Sequence, residues 1–339
     1  MAKKWGFGIV GCGSIADTHI AALKDIPGAK LVGVSSRGEE RAAKTGEREG
    51  CFWTTDYKEL LARPDIDVIC ITTSSGSHAA IGLDAVKAGK HVIVEKPIAM
   101  TAESAWELVR AARTKGVKLA VISQSRFAED YQAVRKAIDQ NAIGRLLLAE
   151  VSLPFYRTQA YYDSADWRGT VREDGGALMN QGIHPIDLLL WFGGDVTTVF
   201  GKTATQTHRM EAEDLGLAIL QFKSGAFGTI MASTSFQPGF PSTLRLYGEK
   251  GTIRVQGYTI EHWTAEGMER PELAKAGDFG GAADPKAISS AYHRMQLADM
   301  IEAIEQDRDP AVTGEDGYRA VRLIETIYRS SKEGREIRL

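Results

Sequence analysis

The sequence predicts an α/β protein, with an N-terminal Rossmann-type doubly wound parallel sheet and a C-terminal α/β domain on a largely antiparallel open sheet. Three observations predict it. Up to residue 123, short apolar runs alternate with helix-like segments. Those runs are continuously apolar rather than alternating, as in strands covered on both faces by helices. Beyond residue 123, strands follow one another closely and several are joined by short glycine-bearing turns, which is an antiparallel habit.

In chain order, the first strands are "WGFGIV" (5–10), "KLVGVSS" (30–36), "DVICITTS" (67–74), "HVIVEK" (91–96) and "KLAVIS" (118–123). Helix-like segments 14–25, 77–89 and 101–116 lie between them. Right-handed crossovers through such helices build a doubly wound sheet. The first domain is therefore 1–123 and the second 124–339, with a C-terminal helix able to pack back on the first. The second opens with a helix at 129–141 and the strand "RLLLAEVSL" (145–153). A long aromatic loop and a helix near 182–192 follow. Strands then cluster at 196–205, 214–223, 226–235, 243–248 and 251–256, and two helices, 288–306 and 316–332, close the chain. The Gly/Ala/Asp-rich stretch 275–286 reads as a surface loop or subunit contact. Trp5, Trp53 and Trp106 read as core.

With 339 residues, two cores are expected. A net charge of −3 gives no electrostatic footprint for nucleic acid. No stretch approaches the ~20 apolar residues of a membrane span. Cys12, Cys51 and Cys70 show no metal spacing, so no metal is expected, and their usage fits a reducing cytoplasm.

"GIVGCGSIADTH" places Gly11 and Gly13 after a strand and before a helix, with Ala16 where a third glycine often sits. Gly11 permits the turn, Gly13 lets backbone approach a pyrophosphate, and the helix start, Ser14 and Ile15, supplies N–H donors. The end of the second strand should then select the cofactor. A carboxylate there suits the ribose 2′-hydroxyl of NAD, whereas an arginine suits a 2′-phosphate. This chain has Ser35, Ser36 and Arg37, and no acid before Glu39. NADP is the first choice and NAD the alternative.

Glu95 and Lys96 end the "HVIVEK" strand, and Pro97 stops it. Ligands of such sheets lie beyond the strands' carboxyl ends, so Lys96 can reach a cleft over a nicotinamide and stabilise an alkoxide. A surface ion pair is the plain alternative. In "MNQGIHPID", Asn180, His184 and Asp187 fall on one face of a helix. Pro185 fits only a first turn, which would put the helix start near Gly182 with Asn180 just before it.

"GKHVIVEKPIAMT", "ITTSSGSHAAIGLDAVKAGKHV", "WRGTVREDGGALMNQGIHPIDLLLWFGG" and "PAVTGEDGYRAVRLIETIYRSSKEGREIRL" together resemble the Gfo/Idh/MocA oxidoreductases over essentially the whole chain. The resemblance implies NAD(P)-dependent oxidation or reduction of a sugar, cyclitol or related alcohol. It also implies an open sheet used for oligomer contacts, here a homodimer or tetramer. By the same likeness Lys96 matches the catalytic lysine and His184 the catalytic histidine. Asn180 stands where many inositol dehydrogenases have aspartate, and this version resembles nucleotide-sugar 3-dehydrogenases that act on a UDP-linked N-acetylglucosaminuronate. Thr73, Ser75 and His78 fall where members contact cofactor, although Ser75 replaces the usual asparagine. Glu95, Gln124, Trp167 and Arg168 are further cofactor candidates. Arg126 and Tyr292 are substrate candidates, with loop or helix packing as the alternative for Trp167, Arg168 and Tyr292. Two other functions stay open: a redox-neutral enzyme that oxidises, cleaves or eliminates and regenerates its cofactor, and a cofactor-binding regulator. Such regulators tend to lose the lysine that is present here.

Overall fold

A computed structural model describes residues 3–273 and 290–339; the stretch 275–286 read above as a loop lies outside them. The chain divides into two units, Met1–Gln124 with Ser289–Tyr318, and Ser125–Ile288 with Arg319–Leu339. Among the described residues, no helix is long and apolar enough to cross a membrane.

The first unit runs β1 (Trp5–Val10), α1 (Ser14–Lys24), β2 (Ala29–Ser35), α2 (Glu39–Glu49), β3 (Phe52–Thr54), α3 (Tyr57–Ala62), β4 (Val68–Ile71), α4 (His78–Lys87), β5 (His91–Val94), α5 (Ala102–Lys115) and β6 (Leu119–Val121). The six strands form one parallel sheet in the order β3-β2-β1-β4-β5-β6. Reversal of strand order beside β1 is the switch point of a doubly wound sheet. β4 is buried along its whole length, and β5 after its first residue, because helices cover both faces. α1 buries Ala16, His19, Ile20 and Leu23, a helical stripe, against Ile9, Val34 and Ile93. Three-residue β3 lacked enough length to show in the sequence. Trp5, Trp53 and Trp106 are half-buried rather than core: Trp5 and Trp53 lean on the cluster from its rim, where their ring size is tolerated.

The second unit runs α6 (Glu129–Asp139), β7 (Leu146–Pro154), α7 (Gln159–Tyr162), a wide π-helical turn (Ala177–Gln181), α8 (Ile183–Gly193), β8 (Val196–Ala204), β9 (Leu215–Phe222), β10 (Phe227–Ser233), β11 (Thr243–Gly248), β12 (Thr252–Gln256) and β13 (Thr259–Thr264). Next in the chain, α9 (Ala291–Glu305) belongs to the first unit, where it packs on α1. α10 (Gly314–Glu333) and β14 (Ile337–Arg338) follow. The second sheet has the order β13-β12-β11-β7-β10-β9-β8-β14 and is antiparallel except for β7 with β10. β9 alternates buried Gly216, Ala218, Leu220 and Phe222 with outward Leu217 and Ile219, so one face is covered and the other open. That open face is apolar. Ile219 is 59% and Phe227 55% exposed, and Phe200 and Leu217 join them.

Candidate active site

Register fixes which loops share an edge in the first unit. Val10 pairs with Ile71, Ile71 with Val94, and Val94 with Val121. The chain therefore leaves β1 into Gly11–Gly13, β4 into Thr72–Ser75, β5 into Glu95–Pro97, and β6 toward Gln124 along one edge. Gly11 is required: its φ is +105°, and a Cβ there would stand 2.7 Å from the Thr72 carbonyl. Its N–H donates to the Ser35 carbonyl at 2.8 Å, and Thr72 Oγ1 donates to the Gly11 carbonyl at 2.7 Å. At Gly13 an added Cβ would meet nothing within 4 Å, and no side chain caps the first amides of α1, those of Ser14 and Ile15. A tight turn opening onto uncapped helix amides fits a dinucleotide pyrophosphate. Ser36 is half-buried and Arg37 exposed where β2 ends. Thr73 and Ser75 are half-buried at the β4 exit, and Gln124 beyond β6 holds a buried Oε1 without a partner among the described residues.

Two expected cofactor ligands are placed otherwise. Glu95 turns inward: it is 5% exposed, and His19 Nε2 donates to its Oε1 at 2.9 Å. Its Oε2 takes the Lys96 backbone N–H at 3.3 Å. Burial would raise this carboxyl, but the His19 hydrogen bond and the nearby His293 ring outweigh it and hold Glu95 well below the usual carboxylate range. Burial keeps His19 below its ordinary value despite that carboxylate, so it donates as a neutral ring. His78 is also buried. Its Nδ1 lies 2.7 Å from the Pro97 carbonyl and its Nε2 3.2 Å from that of Thr73, so it ties the β4 and β5 exits together. An acceptor-only carboxylate needs buried donors, and loop carbonyls need partners; Glu95 and His78 meet those needs within the protein. Lys96 itself is half-buried at the tip.

In the second unit α8 begins at Ile183, as Pro185 in its first turn requires. His184 and Asn180 are half-buried, His184 on that first turn and Asn180 in the π-helical turn before it. Asn180 therefore lies in a wide turn before the regular helix rather than on the helix with His184 and Asp187. Asp187 instead lies buried, taking Arg126 Nε at 2.8 Å and Nη2 at 2.6 Å, with the guanidinium over the Trp191 ring. Arg126, expected at substrate, is thus committed to a buried bidentate pair, because neither charge survives burial alone. Asn180 Nδ2 donates to Asp174, whose other oxygen takes the Gly169 N–H at 2.7 Å. Asp174 was missed; its only sequence trace is an acid six residues before Asn180. Arg168 lies 4.3 Å from the Tyr161 ring and 4.6 Å from that of Trp167, and donates to the Tyr161 hydroxyl at 2.7 Å. Buried Arg157 stacks on the same Tyr161 ring, and burial lowers its pKa. Two cations therefore flank one phenol. Tyr292 is half-buried on the first turn of α9.

Residues 5–123 match the oxidoreductase family with an NAD-binding Rossmann fold, and residues 131–254 match the GFO/IDH/MocA C-terminal domain. The WlbA dehydrogenase of Bordetella pertussis, solved in complex with NADH and UDP-GlcNAcA, is 34% identical with a TM-score of 0.89, covering 99% of each chain. D-apiose dehydrogenase of Paraburkholderia graminis is 28% identical over 99% of this chain and 90% of its own. Inositol 2-dehydrogenase of Rhizobium meliloti is 28% identical over 98% of both.

Proposed function

The chain belongs to the GFO/IDH/MocA family of NAD-binding oxidoreductases, and from that premise we propose that it oxidises a secondary hydroxyl of a nucleotide-linked sugar acid. One observation carries the reading: Lys96 leaves the parallel sheet at the same edge as the glycine turn and the uncapped amides of α1. When bound, the nicotinamide accepts hydride from the carbinol carbon. The Lys96 ammonium stabilises the negative charge that develops on the substrate oxygen, and His184 takes the hydroxyl proton. Asn180, its amide turned by Asp174, orients the sugar. Persistence of both Lys96 and His184 favours an enzyme over a regulator.

The sugar-acid class is supported by likeness to WlbA and by the Arg157 and Arg168 cations around Tyr161, which suit an anionic substituent. NADP is the cofactor favoured by exposed Arg37 and by the lack of an acid before Glu39, although the WlbA structure holds NADH. A second copy of the chain covers the apolar face bearing Phe200, Leu217, Ile219 and Phe227, making a homo-oligomer. A panel of free sugars, cyclitols, glycosides and UDP-sugars, each assayed with NADP and NAD, tests the reading. Oxidation of UDP-linked uronates with NADP supports it. Turnover of neutral free sugars alone contradicts the sugar-acid assignment.

A further inference from the structure

Three of the seven histidines are buried around the two residues that flank Lys96. His19, from α1, donates to Glu95 Oε1 at 2.9 Å, and His293, from α9, stands 3.8 Å from that same oxygen. The two rings meet edge to face with centroids 5.6 Å apart. Both Nδ1 atoms are buried, without a hydrogen-bond partner among the described residues. A carboxylate only accepts, so the His19 ring carries its proton on Nε2, toward Glu95, while His293 stands behind it at electrostatic rather than hydrogen-bond range. His78 holds the Pro97 carbonyl from the other side. Cys70 of β4, in the same core, is a buried thiol whose pKa burial pushes well up.

A core of Ile9, Ile20, Ile93, Leu297 and Met300 would be at least as stable with apolar side chains at these positions. The polar groups instead gather where β5 turns out toward Lys96, and α9 brings a second tie. Gln296, one turn after His293, takes the Ser123 N–H at 3.1 Å and donates to the Val121 carbonyl at 2.7 Å, fixing the β6 exit alongside.

We propose that His19 and His293 are positioning residues for Lys96. The His19 imidazole locks the Glu95 carboxylate by a hydrogen bond, His293 packs edge to face on that ring and holds it there, and the carboxylate holds the Lys96 backbone N–H, so the ammonium is presented from a fixed peptide. This rests on the catalytic reading of Lys96. A set of two imidazoles and a carboxylate also resembles a metal centre, with ligand atoms within 4.8 Å of one another. The 2.9 Å contact between His19 and Glu95 is a hydrogen bond, shorter than the ligand-to-ligand spacing around a tetrahedral cation, and metal-bound imidazoles ordinarily have a partner on the second nitrogen.

The test compares H19L, H293L, H19N, K96M and the H19L/K96M double variant, each with NADPH bound. Amide hydrogen exchange at Lys96 should accelerate about tenfold or more in H19L and H293L, with kcat on the sugar identified by the panel falling about as far. Dinucleotide Kd, measured well below the thermal midpoint, should change little; the midpoint itself falls in H19L, which leaves the buried Glu95 carboxylate short of a donor, and H19N, which keeps an N–H donor of smaller size, should recover most of both losses. H19L should add no further loss on top of K96M, since it acts through that lysine. Unchanged exchange and kcat in H19L and H293L, additive losses in the double variant, or a stoichiometric transition metal that departs with His19 would overturn the proposal. If K96M is inactive while H19L is normal, this inference alone fails. If K96M turns over normally, the catalytic reading of Lys96 falls and takes the inference with it.

Discussion

Arg37 follows the last residue of β2 by two and stands exposed, where an adenosine ribose reaches in a fold of this kind. A guanidinium there gains a charged hydrogen bond only from the 2′-phosphate, a difference of about 1.5–3 kcal/mol. Arg37→Ala should raise the KM for NADP about tenfold or more and leave that for NAD unchanged in steady-state assays. Equal effects on both would assign Arg37 to solvent. At this scale the sequence showed the residues whose surroundings are local. The positive φ of Gly11 and the first-turn place of Pro185 follow from the strand-turn-helix pattern around them in the chain. The protein partners of Glu95, Arg126 and His78 were not legible, because His19, Asp187 and Pro97 lie 76, 61 and 19 residues away. No spacing rule covers such distances.

Among the elements, the π-helical turn that carries Asn180 depends on a buried acid. Glu213 Oε1 takes the Leu178 N–H at 2.8 Å and the Tyr328 hydroxyl at 3.0 Å, and its carboxylate lies where a Cβ on Gly176 would have to be. Burial, against those hydrogen bonds and with Asp214 adding repulsion, pushes the Glu213 pKa up to about 7. A folded-state value above the unfolded one means the folded protein binds this proton more tightly. Stability from this group is then full below the unfolded pKa and is lost as pH rises toward 7. Between those two values the loss runs at about 1.4 kcal/mol for each step of one in pH. Glu213→Gln, which keeps an acceptor for Leu178, should flatten that slope and raise the thermal midpoint at pH 8 relative to wild type. An unchanged slope between pH 5 and 8 would remove Glu213 from this role. The sequence could not show the turn: its residues read as the start of one regular helix, and only the acid at position 213 and the tyrosine at 328, from distant elements, complete it. Strands β3, β13 and β14 escaped for a different reason. β3 and β14 are too short for a pattern, and β13 buries Ile260 alone, with a register shift in its pairing to β12 that interrupts any alternation.

At the scale of the whole molecule, the two sheets were legible as classes because burial writes itself into hydrophobic pattern. Strands covered twice are continuously apolar, and strands covered once alternate. β9 breaks the second rule in a useful way, since its outward Leu217 and Ile219 are apolar where water would select polar residues. Lysines at both positions should convert the protein to monomers by light scattering, with the circular dichroism spectrum retained. A wild-type protein that is already monomeric would contradict the oligomer. The central claim, that this is a hydride-transferring enzyme whose lysine steadies the substrate oxygen, meets its most direct test in one comparison. Lys96→Met and wild type are measured side by side for turnover and for dinucleotide affinity. Turnover should fall by about a thousandfold or more while the dinucleotide Kd stays within about twofold, because the ammonium is needed at the reacting oxygen and not by the pyrophosphate turn. Retained turnover, or a loss of affinity as large as the loss of rate, would contradict the account.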